Sequence, residues 1–155
     1  MFSGVSAEMV KITYTKVPAD ICKKNRAFYK NHVRKAFVMF CAYEGYFDGV
    51  FTKQEIKKAK RGVLPDDCNI HHKVPLSGSN DLMVNDFCNL TVLHKNTHEF
   101  INKYIFSPQL KPIQTAPFGS EIVIDVPNYD YVDKEGILKE RAVRQQFRWF
   151  RKRER

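Results

Sequence analysis

Apolar residues alternate with polar ones in some stretches of the chain and recur every three or four positions in others, and each change of period marks an element. "VKITYTKV" (10–17) alternates, predicting a short strand that stops at Pro18. Over residues 21–46, Phe28, Val33, Phe37 and Phe40 recur near three- and four-residue spacing with lysines and arginines between them, the pattern of an amphipathic helix with its apolar stripe on a core. His32 stands alone in that helix and reads as a solvent-facing or satisfied side chain rather than a ligand. "FTKQEIKKAKRG" predicts a second, short helix, because Thr52 and Glu55 form the S/T-x-x-E capping box and Gly62 offers a stop.

From Cys68 the pattern becomes strand ("CNIHHKV"), polar loop to Asp86, strand ("NLTVLH") and helix from about Asn96. So compact a run suits two antiparallel strands covered by a helix. Pro108, Pro112 and Pro117 with Gly119 predict a loop without regular helix, and "EIVIDV" a further strand. A last helix is expected to start near Asp133, burying Ile137, Leu138, Val143, Phe147 and Phe150 and presenting arginines on its other face. Together these elements predict an α+β fold, and 155 residues suit one domain spanning 1–155.

Composition changes the picture in one respect. Hydrophobic residues at 43% and charged residues at 28% describe a foldable globular chain, but a formal net charge of +9 draws it towards polyanions, chiefly nucleic acid. The last fifteen residues carry seven cations against Glu154, so +6 of that charge lies in the tail. Cys22, Cys41, Cys68 and Cys88 form no C-x-x-C pair, which argues against a structural zinc site and for reduced thiols in a cytosolic setting. No apolar run reaches membrane-spanning length and the N-terminal residues lack the order of a signal peptide, so the expectation is a cytoplasmic protein, or one exported into a target cell by a dedicated system.

The candidate chemistry gathers around the adjacent histidines of "CNIHHKVPLSGSN". Neighbouring side chains on a strand point to opposite faces, so His71 and His72 suit two separate tasks. With a helix capped by Asn96 or Thr97, His98 and Asn102 lie one turn apart on one face, towards the hairpin. His71, His98 and the Asn102 side-chain oxygen can then meet one divalent cation, leaving coordination positions for water and substrate. A helix starting at Leu93 would instead pair His94 with His98 and idle Asn102, but "KNT" is a better helix start than helix middle.

The stretches "IHHKVPL", "DFCNL" and "HEFIN" resemble the HNH endonucleases, the ββα-metal nucleases, over roughly residues 68–103, within a motif core of about 68–106. Their order, the proline after the histidine pair and the nine-residue step from Asn89 to His98 carry the resemblance together. It implies that His71 and His98 are metal ligands with Asn102 as a third, that His72 is the general base, and that Asn89 fixes the hairpin around that base. Many family members have an acidic residue where His71 stands and a histidine where Asn102 stands. Magnesium or manganese suits hydrolysis of this kind, while two imidazoles also suit zinc or nickel.

The resemblance implies hydrolysis of DNA phosphodiester bonds by in-line attack of water, with little sequence specificity because so small a fold leaves little surface for base readout. A neutral imidazole with an ordinary pKa near 6.5 can accept a proton at pH 7, provided that its Nε2 faces the substrate. Lys73, Lys95 and Lys103 beside the motif, and Arg144, Arg148 and Arg151 on the last helix, are the candidate phosphate contacts. Residues 107–133 loosely resemble the segment after the motif in bacterial antibacterial toxin nucleases, which implies an acidic immunity protein as a partner. The alternatives are a free-standing nuclease of phage or restriction type and a nucleic-acid-binding protein without catalysis.

Overall fold

A computed structural model describes residues 5, 7–78 and 82–153. Residues 79–81 of the "SGSND" loop, and Glu154 and Arg155 of the tail, lie outside the described residues.

The elements are helices and two small antiparallel sheets, an α+β arrangement. Strand β1 (Met9–Thr15) pairs with β4 (Glu121–Pro127) over its whole length, Met9 opposite Pro127 and Thr15 opposite Glu121. Strands β2 (Cys68–His72) and β3 (Leu90–His94) form the second sheet, Cys68 opposite His94 and His72 opposite Leu90. Every residue of β3 is buried. Leu90 and Val92 enter one apolar cluster with Phe37, Val38 and Phe47, whereas Leu93 enters another with Ile101, Ile105, Ile124 and Val126. The hairpin therefore stands between two cores, which holds its register firmly, because a slip of one residue would exchange its two faces.

The first helical stretch runs as α1 (Ala19–Phe28), a π-wound segment Tyr29–Val33, and α2 (Arg34–Tyr43). A π turn holds one residue more than an α turn, which shifts the apolar stripe. Tyr29 packs towards the core, and Phe28, expected there, is exposed with its ring 5.1 Å from His32. Helix α3 (Lys53–Ala59) has the expected capping box, Thr52 Oγ1 accepting from the Glu55 N–H at 3.1 Å and Glu55 Oε1 from the Thr52 N–H at 3.0 Å. Gly62 closes it with φ +89°, a conformation that side chains with a Cβ rarely adopt.

Helix α4 (Lys95–Phe100) follows β3 without a loop, one residue earlier than the expected Asn96. His94 is its cap, Nδ1 accepting from the Asn96 N–H at 3.1 Å. The helix continues through a second π-wound segment, Ile101–Phe106, into α5 (Ser107–Leu110) and the 3-10 turn Lys111–Ile113. The prolines thus do not end the helix at Ser107. Pro108 falls in the first turn after the π segment, where its missing N–H removes little.

Helix α6 (Lys134–Arg153) starts as expected after Asp133, but only Ile137 of its predicted apolar face is buried. Leu138, Val143, Phe147 and Phe150 are exposed, because the helix runs beyond the core it leaves after its first two turns. At that point Arg141 clamps three elements. Its guanidinium bonds both Glu55 oxygens at 2.8 and 2.9 Å and both Asp67 oxygens at 2.9 Å, and stacks 4.8 Å from the Phe51 ring. The Arg141→Ala variant leaves the nearly buried Asp67 carboxylate without its cation, and is expected to lower unfolding free energy by about 3 kcal/mol in urea titrations.

Candidate functional site

Strand β2 separates its histidines as the alternation requires. Asn69 and His71 point to the α4 side, and Ile70 and His72 to the side of α1 and α2.

His71 is 1% exposed, and among the described residues its Nε2 has no hydrogen-bond partner. An unmatched buried imidazole nitrogen carries a desolvation cost, so a ligand for it is the natural complement. The His98 ring faces it with centroids 5.4 Å apart at 69°, and Phe106 stacks on its other side at 5.5 Å. Two imidazoles on one tetrahedral ion, with metal–nitrogen bonds of about 2.0–2.1 Å, place ring centres about 5.2 Å apart. The spacing of the two rings is therefore compatible with one ion held between them.

His98 Nδ1 lies 3.3 Å from Asn69 Nδ2, which leaves Nε2 as the nitrogen for a metal. Were Nε2 to hold a metal, Nδ1 would carry the proton, and Asn69, whose Nδ2 faces it here, would have to turn its amide over to accept from it. Asn69 was not singled out from the sequence, though its place two residues before His71 on one strand face was a usable signal.

Asn102 stands one turn beyond His98, exposed, where the helix has widened to π winding, and its carbonyl accepts from Ser107 Oγ at 2.8 Å. The structure thus brings His71 and His98 together and sets Asn102 on the surface nearby. Among the described residues no three His, Cys, Asp and Glu side chains are grouped as metal ligands, and His71 and His98 stand as a pair. His94 takes no part. Its Nδ1 caps α4 and its Nε2 faces Asp67 at 3.7 Å, which removes the His94–His98 pairing.

His72 ends β2 half-buried, with the Tyr29 ring edge-on at 4.6 Å and its Nε2 3.1 Å from Asn85 Oδ1. Since an amide oxygen only accepts, Nε2 carries the proton and Nδ1 the lone pair. The nitrogen expected to face substrate is thus engaged inside the protein, and among the described residues Nδ1 has no hydrogen-bond partner. Burial depresses the basicity of both neighbours, His71 to about 3 and His72 to about 4, the first helped by charge on His98, the second partly offset by Asn85. Both rings are neutral at pH 7, as a ligand and a base must be.

Asn89, 8% exposed, fastens the loop between the strands. Its Oδ1 accepts from the Val74 N–H at 2.8 Å, and its Nδ2 donates to the carbonyls of Val74 at 3.1 Å and Val84 at 2.8 Å. The backbone adds Lys73 N–H to Asn89 O at 2.9 Å. Three side-chain bonds from one amide tie residue 74 to residue 84, and so set where His72 leaves the strand. Gly78 belongs to the same loop, and a Cβ there would lie only 2.3 Å from the Tyr14 ring, whose hydroxyl donates to Ser77 Oγ at 2.9 Å.

The candidate phosphate contacts fall in two groups. Lys95 and Lys103 are exposed along the helix that carries His98, and Lys73 is half-buried beside the loop, burial weakening its hold on the proton. Arg144 and Arg148 line a groove of about 440 Å³ with Lys58 and Arg141, formed by α3, residues 63–67 and α6, and containing none of the histidines. Arg151 lies beyond it on the exposed end of α6.

No family model matches the chain, and no solved structure matches it. An uncharacterized protein of Escherichia coli strain K12, YhhZ, is 28% identical over 91 residues. The match takes in 59% of this chain and only 22% of YhhZ. No described helix is long and apolar enough to cross a membrane.

Proposed function

We propose that the chain is a divalent-metal-dependent endonuclease of the HNH type, acting on DNA phosphodiester bonds with little sequence preference. The observation that carries this reading is the buried Nε2 of His71, without a partner among the described residues and on a ring that faces His98, in a hairpin-and-helix unit whose loop is fastened by Asn89. His71 and His98 would hold the ion, with the Asn102 amide within one helical turn as an oxygen ligand. A bound divalent ion would neutralise charge on the phosphoryl and leaving oxygens. His72, neutral and with Nδ1 free, takes the proton from the attacking water. Lys95 and Lys103 hold the phosphate backbone, and the arginines of α6 extend that contact.

The test is plasmid DNA incubated with the full chain and Mg²⁺ or Mn²⁺. Loss of supercoiled DNA, stopped by a chelator and restored by excess metal, is the expected result. Retention of intact plasmid in gel-shifted complexes, whatever the metal, would instead favour a binding protein without catalysis. Expression of the active chain alone in bacteria separates the two nuclease roles, killing being expected of a toxin that needs an acidic immunity partner and survival of a free-standing enzyme.

A further inference from the structure

We infer that Asn85 is a positioning residue that selects the tautomer of His72 and thereby presents Nδ1 as its reactive nitrogen. The inference rests on the nuclease reading for what that nitrogen does, but its geometry is independent of it.

Asn85 is 5% exposed, so its amide has no water to fall back on and must bond within the protein. Its Nδ2 donates to the backbone carbonyl of Asn25 on α1 at 3.0 Å. A carbonyl can only accept, and turning the Asn85 amide over would set oxygen against oxygen there. The orientation of that amide is thus keyed by main chain that no side-chain substitution can remove. Oδ1 is left facing His72, and an amide oxygen requires a proton on the nitrogen it meets. His72 Nε2 therefore carries hydrogen at 3.1 Å, and the lone pair is held on Nδ1.

The Tyr29 ring, set inward by the π turn, meets the imidazole edge-on and limits rotation of its plane. A histidine free in water favours its Nε2–H form only modestly and turns about both side-chain bonds. Here both choices are made before any substrate arrives, which is the preorganisation that a general base requires.

The experiment is a two-bond proton–nitrogen correlation spectrum of the metal-free, ¹⁵N-histidine-labelled full chain at neutral pH, with the His72 signal assigned by its loss in His72→Ala. Wild type is expected to show the Nε2–H form almost alone. Asn85→Ala should move the tautomer ratio about five- to tenfold towards the mixture of a free histidine, the weight of one hydrogen bond. Asn85→Leu, close in volume but without an acceptor, should move the ratio as far. In the plasmid assay, Asn85→Ala and Asn85→Leu should each lower kcat about tenfold with KM for DNA unchanged.

A wild-type spectrum in which His72 is protonated on Nδ1, or a ratio unmoved by Asn85→Ala, overturns the inference, and the wild-type spectrum decides the matter even if both variants misfold. Wild type that cuts no DNA, with the tautomers behaving as stated, would end the nuclease reading and leave the tautomer lock standing.

Discussion

His72→Ala should abolish cleavage of DNA while leaving metal and DNA binding in place. The imidazole takes no part in the paired site of His71 and His98, so a calorimetric titration with Mn²⁺ should give the stoichiometry of wild type. Removing a positioned general base costs about 10²- to 10⁴-fold in rate. Folding should lose about 1–3 kcal/mol, since the buried Asn85 Oδ1 is left without its partner while Tyr29 and Asn25 remain. His71→Ala should fail differently, losing the metal as well as activity. The measurement is single-turnover cleavage at saturating metal, and undiminished cleavage by His72→Ala would remove that residue from the chemistry.

The second large effect is on stability against acid. In the unfolded chain both neighbouring histidines bind protons near pH 6.5, whereas burial holds His71 at about 3 and His72 at about 4 in the folded protein. As pH falls below 6.5 the unfolded state takes up protons that the native state refuses, so stability declines with falling pH. The slope approaches about 1.4 kcal/mol per pH unit for each ring and persists to about pH 4 for His72 and lower for His71. Several kcal/mol should therefore be lost between pH 6.5 and 4. The carboxylates act in a different window. Hydrogen bonds from Arg141 depress Glu55, and at Asp67 the same partner outweighs the opposing effect of burial, so their contribution begins to be lost as pH falls through the ordinary carboxylate range and is gone once it passes their depressed values. Urea titrations of metal-free protein at successive pH values measure the decline. His71→Leu should flatten it, and a profile level from pH 7 to 5 in wild type would contradict the burial of these rings.

Much of this arrangement was legible in the sequence, and the parts that were not share a cause. The capping box at Thr52 and Glu55 is local and formed as read. So did the hairpin, because its alternation has to satisfy both cores at once, and the opposite facing of His71 and His72 follows from the strand alone. Asn85 carried no signal. It lies in a polar loop without periodicity, and its value comes from a carbonyl sixty residues earlier in the chain. Arg141 was hidden within a run of cations, where charge says nothing about which member finds two carboxylates. The exposed aromatic residues of α6 show the limit of amphipathic patterning, since an apolar stripe says which side a helix would bury but not whether a neighbour is there to bury it. The helix through Pro108 went unread for a related reason, the preceding change of winding being a matter of backbone bonding.

That change of winding has a consequence of its own. The widened segment Tyr29–Val33 supplies the ring against His72, and the widened segment Ile101–Phe106 supplies the ring against His71. Excising a single amino acid from either stretch would let ordinary α geometry return, leaving the later helix in phase but changing the directions of the side chains within the turn, Tyr29 or Phe106 among them. The cylinder would survive and the aromatic walls of the two imidazoles would not. Chain length inside these two helices is thus as much a specification of the histidine pocket as the histidines themselves.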